Sequence, residues 1–338
     1  MLKKLFLITL ITLVLSSCHI DNNDSIDTNM VNETTTNEYS MDYREAMRQW
    51  VIRISEVSKH KNPDFIIIPQ NASPLFTDTG DADGELSKEF LDCIDGVGQE
   101  GISFGYDEFD KATNIEDRNY ITSLLNVGTK NGIIVLSINY ANNHSNVDKA
   151  RTYDSQNNFL SYVTYNIELN DIQENIINEN DKDILSLDDA KNCLCLFNPE
   201  KFEDKEEYLS DLCKTNYDVL VIDSFFNDDY MLTNEDVNRL KRKANGSKRL
   251  VISYLSIGEA EDYRYYWDDE YYDNAPIWLM NENPNWEGNY PVKYWNDEWQ
   301  RIIASDNNSY LNRIIDAGFD GVYLDIVDGY EMFENMEN

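Results

Sequence analysis

Short apolar runs alternate with amphipathic segments along most of this chain. The runs fall at 65–69, 93–97, 132–138, 160–165, 193–197, 217–222, 250–255 and 321–324. Such runs alternating with amphipathic segments are the pattern of a parallel sheet with crossover helices. Helical periodicity occupies 116–127, 147–155, 203–214, 234–244 and 297–317, and a further helix at 43–59 precedes the first strand. Thr233-Asn234-Glu235-Asp236 is an explicit start signal, a hydroxyl cap followed by acids in the first turn. About eight strands, with the odd helix moved to the front and the chain ending just after the last strand, predict one closed (β/α)8 barrel cut at an unusual place.

The segment ahead of the barrel has a different character. Lys3 and Lys4 precede an apolar run at 5–15 and then Leu15-Ser16-Ser17-Cys18, the form of a bacterial lipoprotein signal with acylation at Cys18. The run is short for a membrane span. Residues 19–40 are Asn-, Asp- and Thr-rich with little to bury, which predicts a flexible tether. The expected organisation is therefore 1–18 signal, 19–40 tether and 41–338 barrel, lipid-anchored in a bacterial envelope outside the cytoplasm.

Charge narrows the partners. Sixty-three acids against 28 Lys and Arg give a net charge of −35, which repels nucleic acid and anionic polymers at long range. Neutral or cationic substrates are compatible with it, and so is acidity serving only solubility. Three histidines, His19, His60 and His144, lie scattered, and Cys93, Cys193, Cys195 and Cys213 form no C-x-x-C pair. No metal site, no cofactor and no histidine-based nucleophilic triad is expected. Cys193 and Cys195 read as buried thiols, and the barrel as a monomer.

Barrel chemistry gathers where strands end. There the sequence places Gln70 and Asn71, Glu100, Asn139 and Tyr140, Asn166, Asn198, Asp223, Glu259 with Glu261 and Asp262, then Asp325 and Asp328. Tyr254 and Arg264 flank the Ser256-to-Asp262 stretch, where Gly258 suggests a tight turn and Arg264 a partner for one of the acids. A salt-bridged loop explains that stretch equally well. Asp325 directly ends an apolar strand, an unexpected place for a solvated acid, and the Gln70 and Asn71 amides suit hydroxyl recognition. The aromatics Trp267, Trp278, Trp286, Trp295 and Trp299 could stack on sugars, although packing is the more common use of such residues.

Four strings carry a resemblance: Pro69-Gln70-Asn71, Ser256 through Arg264, Asn289-Tyr290-Pro291-Val292-Lys293-Tyr294-Trp295, and Gly318 through Asp328. In them the chain resembles the barrel glycoside hydrolases of the endo-α-1,4-polygalactosaminidase type, family 114-like, some members of which were once labelled cysteinyl-tRNA-synthetase-related. The resemblance implies Asp325 and Glu100 as the principal catalytic carboxylates. It implies Asp223, Glu261, Asp262 and Asp328 as substrate-binding or charge-tuning acids, with Tyr254, Glu259, Arg264, Gln70, Asn71 and Tyr140 beside them. Gly101-Ile102-Ser103-Phe104 replaces a more regular polar-aromatic run after Glu100, leaving Glu259 or Glu261 as substitutes for it. The order of the halves also departs from the family: 41–170 resembles its C-terminal half and 188–338 its N-terminal half, as in a circular permutation. The implied activity is hydrolysis of an amino-sugar polysaccharide by paired carboxylates. The alternative is a surface lipoprotein that binds glycan without cutting it, while an RNA-related role fits poorly with the charge.

Overall fold

The computed structural model describes residues 41–173, 175–227 and 230–337. Cys18 and the segments expected to be an export signal and a tether lie outside the described residues. Helix α1 (Tyr43–Lys61) opens the fold, its N-terminus capped by Asp42, which accepts from the Glu45 amide at 2.8 Å. Then come β1 (Ile66–Pro69), α2 (Lys88–Cys93), β2 (Gly96–Glu100), α3 (Ile115–Lys130), β3 (Ile134–Tyr140), α4 (His144–Asn157) and β4 (Leu160–Thr164). The second half contributes β5 (Cys193–Leu196), α5 (Lys205–Cys213), β6 (Val219–Asp223), α6 (Asn234–Leu240) and β7 (Leu250–Ser256). A short ribbon, β8 (Glu259–Glu261) with β9 (Asn289–Pro291), is inserted before α7 (Asp297–Gln300), α8 (Tyr310–Asp316), β10 (Gly321–Asp325) and α9 (Tyr330–Glu337).

Five parallel strands run in the order β1-β10-β7-β6-β5 and three in the order β2-β3-β4. The two sheets close on each other. At one seam the Gln70–Gly98 bridge is parallel, Asp95 donates its amide to Ile67 at 2.9 Å and Asn71 donates its amide to Gly98 at 2.7 Å. At the other seam β4 packs beside β5. Eight parallel strands thus form the predicted (β/α)8 barrel. The crossover from β4 to β5 contains no α-helix among the described residues, only the single turn Leu187–Asp189. The missing helix is supplied from the front by α1, which packs against α8 and α9.

Helix starts follow their caps. Asn114, Asn143, Asp204 and Thr233 each accept from an amide in the first turn of α3, α4, α5 and α6. Cys193 and Cys195 are buried free thiols, as expected.

Three elements differ from the sequence expectation. The strand expected at 93–97 begins three residues later, because Lys88–Cys93 is a helical turn that buries Phe90 and Leu91. Apolar content misplaced it: Gly98 is glycine because the Tyr323 hydroxyl fills the space, and a Cβ there would lie 2.0 Å from that oxygen. The helix expected over 297–317 is broken. After α7 the chain makes a π turn, Arg301–Ser305, and restarts at α8 under a Ser309 cap. The helix expected to reach residue 244 stops at Leu240, and Lys243 turns inward to an ion pair with Asp218.

That pair is fully buried, with Lys243 Nζ at 2.6 Å from Asp218 Oδ1. Lys243 also donates to Asn180 Oδ1 and to the Lys182 carbonyl, while Asn180 and the Lys191 amide donate to Asp218. It therefore pins the helix-free crossover beneath β6. Lys243→Met strands a buried carboxylate and is expected to cost about 3–5 kcal/mol in urea unfolding. Adding Asp218→Asn should recover part of that loss; full stability of the single variant would refute the assignment.

Candidate active site

The strand ends converge on one mouth. Gln70 and Asn71 follow β1, Glu100 ends β2, Tyr140 ends β3, Asp223 ends β6 and Asp325 ends β10. Three residues there adopt left-handed backbone: Asn71 (φ 51°), Gly101 (φ 63°) and Ile326 (φ 57°). For a β-branched isoleucine this conformation is strained, and such strain concentrates at functional sites. Its effect is visible: the Ile326 amide turns back to donate to Asp325 Oδ1 at 2.9 Å, and the next turn presents Asp328.

Glu100 is gripped from three sides. Tyr140 donates its hydroxyl to Oε1, Gln70 donates its amide to Oε2 at 2.5 Å, and Asn71 donates to Oε2 at 3.5 Å. The Asn71 amide also reaches Asp328 Oδ2 at 3.2 Å. Asp325 accepts from the Tyr254 hydroxyl at 2.7 Å, and Tyr254 is wedged against Phe197 with ring centroids 5.1 Å apart. Deeper in, Arg264 forms a bidentate pair with Asp223 at 3.0 and 2.7 Å and a second pair with Glu261 at 2.7 Å. Tyr263 donates to the other oxygen of Glu261 at 2.7 Å. Glu259 is buried and accepts from Asn283 at 2.8 Å.

The chain bends at Ile257 and Gly258 in the two-residue link from β7 to β8, as expected, and close approach also demands glycine there: a Cβ at Gly258 would sit 2.3 Å from the Ile326 carbonyl. This contact sets the β8–β9 ribbon against the strained turn after Asp325.

The electrostatics follow from crowding acids into a desolvated mouth. Burial pushes Asp325 up to about 6, aided by Asp328 and Glu261 and opposed by the Tyr254 hydrogen bond. Burial pushes Asp328 up to about 7, with Glu331 and Glu100 adding repulsion. Burial likewise takes Glu259 to about 7, with Asp325 contributing. Glu100 is raised by burial and by Asp325, against the three donors that favour its charged form. Tyr140 and Tyr254 are driven well above the usual phenol range by burial and neighbouring carboxylates, so they remain donors. Arg264 is held charged by Asp223 and Glu261 despite its burial.

Nearly all the residues singled out from the sequence meet here. Asp262 is half-buried and accepts from Tyr272 at 2.9 Å in the ribbon region. Three strand-end amides serve structure instead, Asn198 among them, whose side-chain oxygen accepts from the Glu200 amide at 3.0 Å. Asn139 caps the Ser103 and Phe104 amides and bonds Asp154, and Asn166 bonds Asn170 and Asp171. Trp278 and Trp299 are fully buried, so packing is their use. Asn283, Tyr263, Gln99 and Glu331 were not foreseen. Asn283 reaches Glu259 only because the ribbon folds its loop back, while Tyr263, beside Arg264 in a marked stretch, could have been included.

The raised acids have a thermodynamic consequence. Between the ordinary carboxylate range and pH 7 the folded chain binds more protons than the unfolded one at Asp325, Asp328 and Glu259, and at Asp154, which burial raises to about 6. Stability from these groups is complete below their unfolded values and is lost as pH rises through 6 to 7. Acids held low, such as Asp236 and Glu206, have finished titrating below that window. The melting temperature should therefore fall from pH 5 to pH 8, and Asp328→Asn should flatten the fall; an unchanged slope in the variant would contradict the assignment.

Residues 202–338 match the model of glycoside-hydrolase family GH114. An uncharacterized protein of Methanocaldococcus jannaschii, MJ1477, is 45% identical over 125 residues, covering 36% of this chain and 34% of the relative. An uncharacterized protein of Thermotoga maritima is 52% identical over 80 residues, 24% of each chain, and one of Deinococcus radiodurans is 40% identical over 119 residues, 35% of this chain and 36% of its own. The chain thus spans about a third or less of the length of these curated relatives. The matched segment carries Asp223, Glu259, Glu261, Asp325 and Asp328, and this half of the barrel is GH114-like.

Proposed function

We propose that the chain is a glycoside hydrolase acting on an amino-sugar polysaccharide, with Asp325 and Glu100 as its working carboxyl pair. The observation that carries this reading is the mouth itself. Glu100 and Asp325 come from the two separate sheets, the charge of Asp325 adds to the burial that raises Glu100, and both remain partly accessible while held above the ordinary carboxylate range. Glycoside hydrolysis requires one carboxyl group protonated and one ionised at the same pH. Repulsion within the mouth keeps the group from ionising as a whole near neutrality. Gln70, Asn71, Tyr140 and Tyr254 orient the pair, and Asp328 and Glu259 supply further negative charge. The buried Arg264 is already engaged with Asp223 and Glu261, so the mouth presents carboxylates to its ligand.

A polymer with free amines suits such a mouth, since its cations meet a net charge of −35 and a cluster of acids. Endo action, a lipid anchor at Cys18 and an extracytoplasmic location complete the reading. The match to GH114 covers 202–338, while β1 to β4, which close the barrel, precede it; this supports a chain order rotated relative to the family.

On partly deacetylated galactosaminoglycan the parent should release shorter oligosaccharides. Asp325→Asn and Glu100→Gln, verified as folded by circular dichroism, should each lower the rate by about a thousandfold, within the general acid–base range. Retention of the polymer without cleavage would instead favour the binding lipoprotein, and full activity of both variants would exclude this carboxyl pair. Asn71→Gly keeps the left-handed backbone but removes the amide that joins Glu100 and Asp328. It should lower activity by about tenfold or more if that hydrogen bonding orients Glu100, and unchanged kinetics would show that it does not.

A further inference from the structure

Outside the barrel mouth, a cleft of about 810 Å³ opens along α4, walled on its other side by Arg118 of α3 and by Ser103, Phe104 and Ala112 of the loop after β2. Its character runs against the rest of the chain. Arg118 and Lys149 line it, with Asp148 as its single carboxylate, whereas acids outnumber bases 63 to 28 overall. Among the described residues neither cation has a carboxylate within ion-pairing distance. Arg118 lies over the Tyr153 ring at 5.2 Å, and Tyr153 is tied to Thr122 by a 2.7 Å hydroxyl contact. The guanidinium is thereby oriented while its donors stay uncommitted, a favourable arrangement for a planar or tetrahedral oxyanion.

A second observation is independent of the cations. Ser103 lines the cleft, is 2% exposed, and its hydroxyl has no hydrogen-bond partner. Its backbone is fixed by Asn139 Oδ1, which accepts from the Ser103 and Phe104 amides at 2.7 and 3.0 Å. Beneath lies a satellite core of Phe104, Ala141, Val147, Ala150 and Val163, which makes this wall rigid. A buried hydroxyl left unpaired is costly unless a ligand or solvent satisfies it.

We infer that this cleft is a second binding site, distinct from the carboxylate mouth, for a small polyhydroxylated molecule bearing one oxyanion, such as a sugar acid. Arg118 and Lys149 take the anion. Ser103 and Gln156 are placed to meet hydroxyls, as is the Asn146 side-chain oxygen, the Asn146 amide being held by Asp110, and the volume exceeds what a bare inorganic anion fills. None of the mouth residues lines the cleft, so the inference stands whether or not the hydrolase reading does.

The test is calorimetric titration of the full chain at low salt with glucuronate, inorganic phosphate and uncharged glucose. Glucuronate should bind saturably and weaken as salt is added, glucose should not bind, and phosphate should compete with glucuronate at lower affinity. Arg118→Gln and Lys149→Gln should each weaken glucuronate by about tenfold, and Ser103→Ala by several-fold, with unfolding midpoints checked alongside. Asp325→Asn should bind as the parent does. Absence of saturable glucuronate binding, equal binding of glucose, phosphate binding alone, indifference to both cation variants, or loss of binding in Asp325→Asn would each overturn the inference.

Discussion

Everything at the mouth depends on how the barrel is closed between β1 and β2. These strands belong to different sheets, and few backbone contacts join them near the mouth: the Gln70–Gly98 bridge and the Asn71 amide bonded to the Gly98 carbonyl. Asn71 reinforces this seam with its side chain. Its carbonyl oxygen accepts from the Gln99 side chain at 3.1 Å and the Glu100 amide at 3.2 Å, while its amide group donates to Glu100 and Asp328. One side chain in a left-handed conformation thus joins the two sheets and the two sets of carboxyls they carry. Opening the seam would separate Glu100 from the acids after β10 in the same motion.

The acids of the mouth divide by what compensates their burial. Asp223 and Glu261 share Arg264, whose charge offsets theirs, and together they form a rigid floor. Among the described residues Glu100, Asp325, Asp328 and Glu259 have hydrogen-bond donors but no ion-pair partner. Desolvation outweighs the donors in these four, and at Asp223 it outweighs even Arg264, so the net shift is upward in all five. A single neutral donor contributes only modestly in such a competition. The cost is borne by the surrounding core, including Tyr254 held by Phe197 and Tyr323 lodged against Gly98. Arg264 fixes its two acids in place, while the other four are held by neutral donors.

The barrel was legible because its strands are buried on both faces and therefore read as apolar runs. The same rule failed at β2, where glycines and polar residues replace apolar side chains to admit Tyr323 and present Glu100. Position along a strand was enough to find Asp325, Glu100 and Asp223, since a strand's last residue must lie at the rim. It could not separate a rim residue that faces the mouth from one that braces a loop, which is why Asn139 and Asn166 looked equivalent to Asn71. Asn283 carries no local signal, because its contact with Glu259 depends on the register of a three-residue ribbon. The break at 306–309 was signalled by Asp306-Asn307-Asn308-Ser309, all residues that compete with the helix backbone, but the apolar period on either side masked it.

Chain order and ring geometry are separable here for a mechanical reason. The helix-free crossover into β5 is fastened by Lys243 and Asn180 to Asp218, just before β6, whereas the mouth begins at Asp223 after it. Five strand residues set these ends roughly 16 Å apart. The fastening of this crossover therefore lies at the opposite end of the barrel from the carboxylates, and a buried ion pair holds it without involving the site. Meanwhile α1, arriving from the front of the chain, fills the helical layer beside α8 and α9 that the crossover leaves without its own helix. A barrel whose site is assembled from strand ends responds to which strands are neighbours, not to the order in which the chain visits them. Rotating the sequence around such a barrel moves the connection and leaves Glu100 facing the acids of β10.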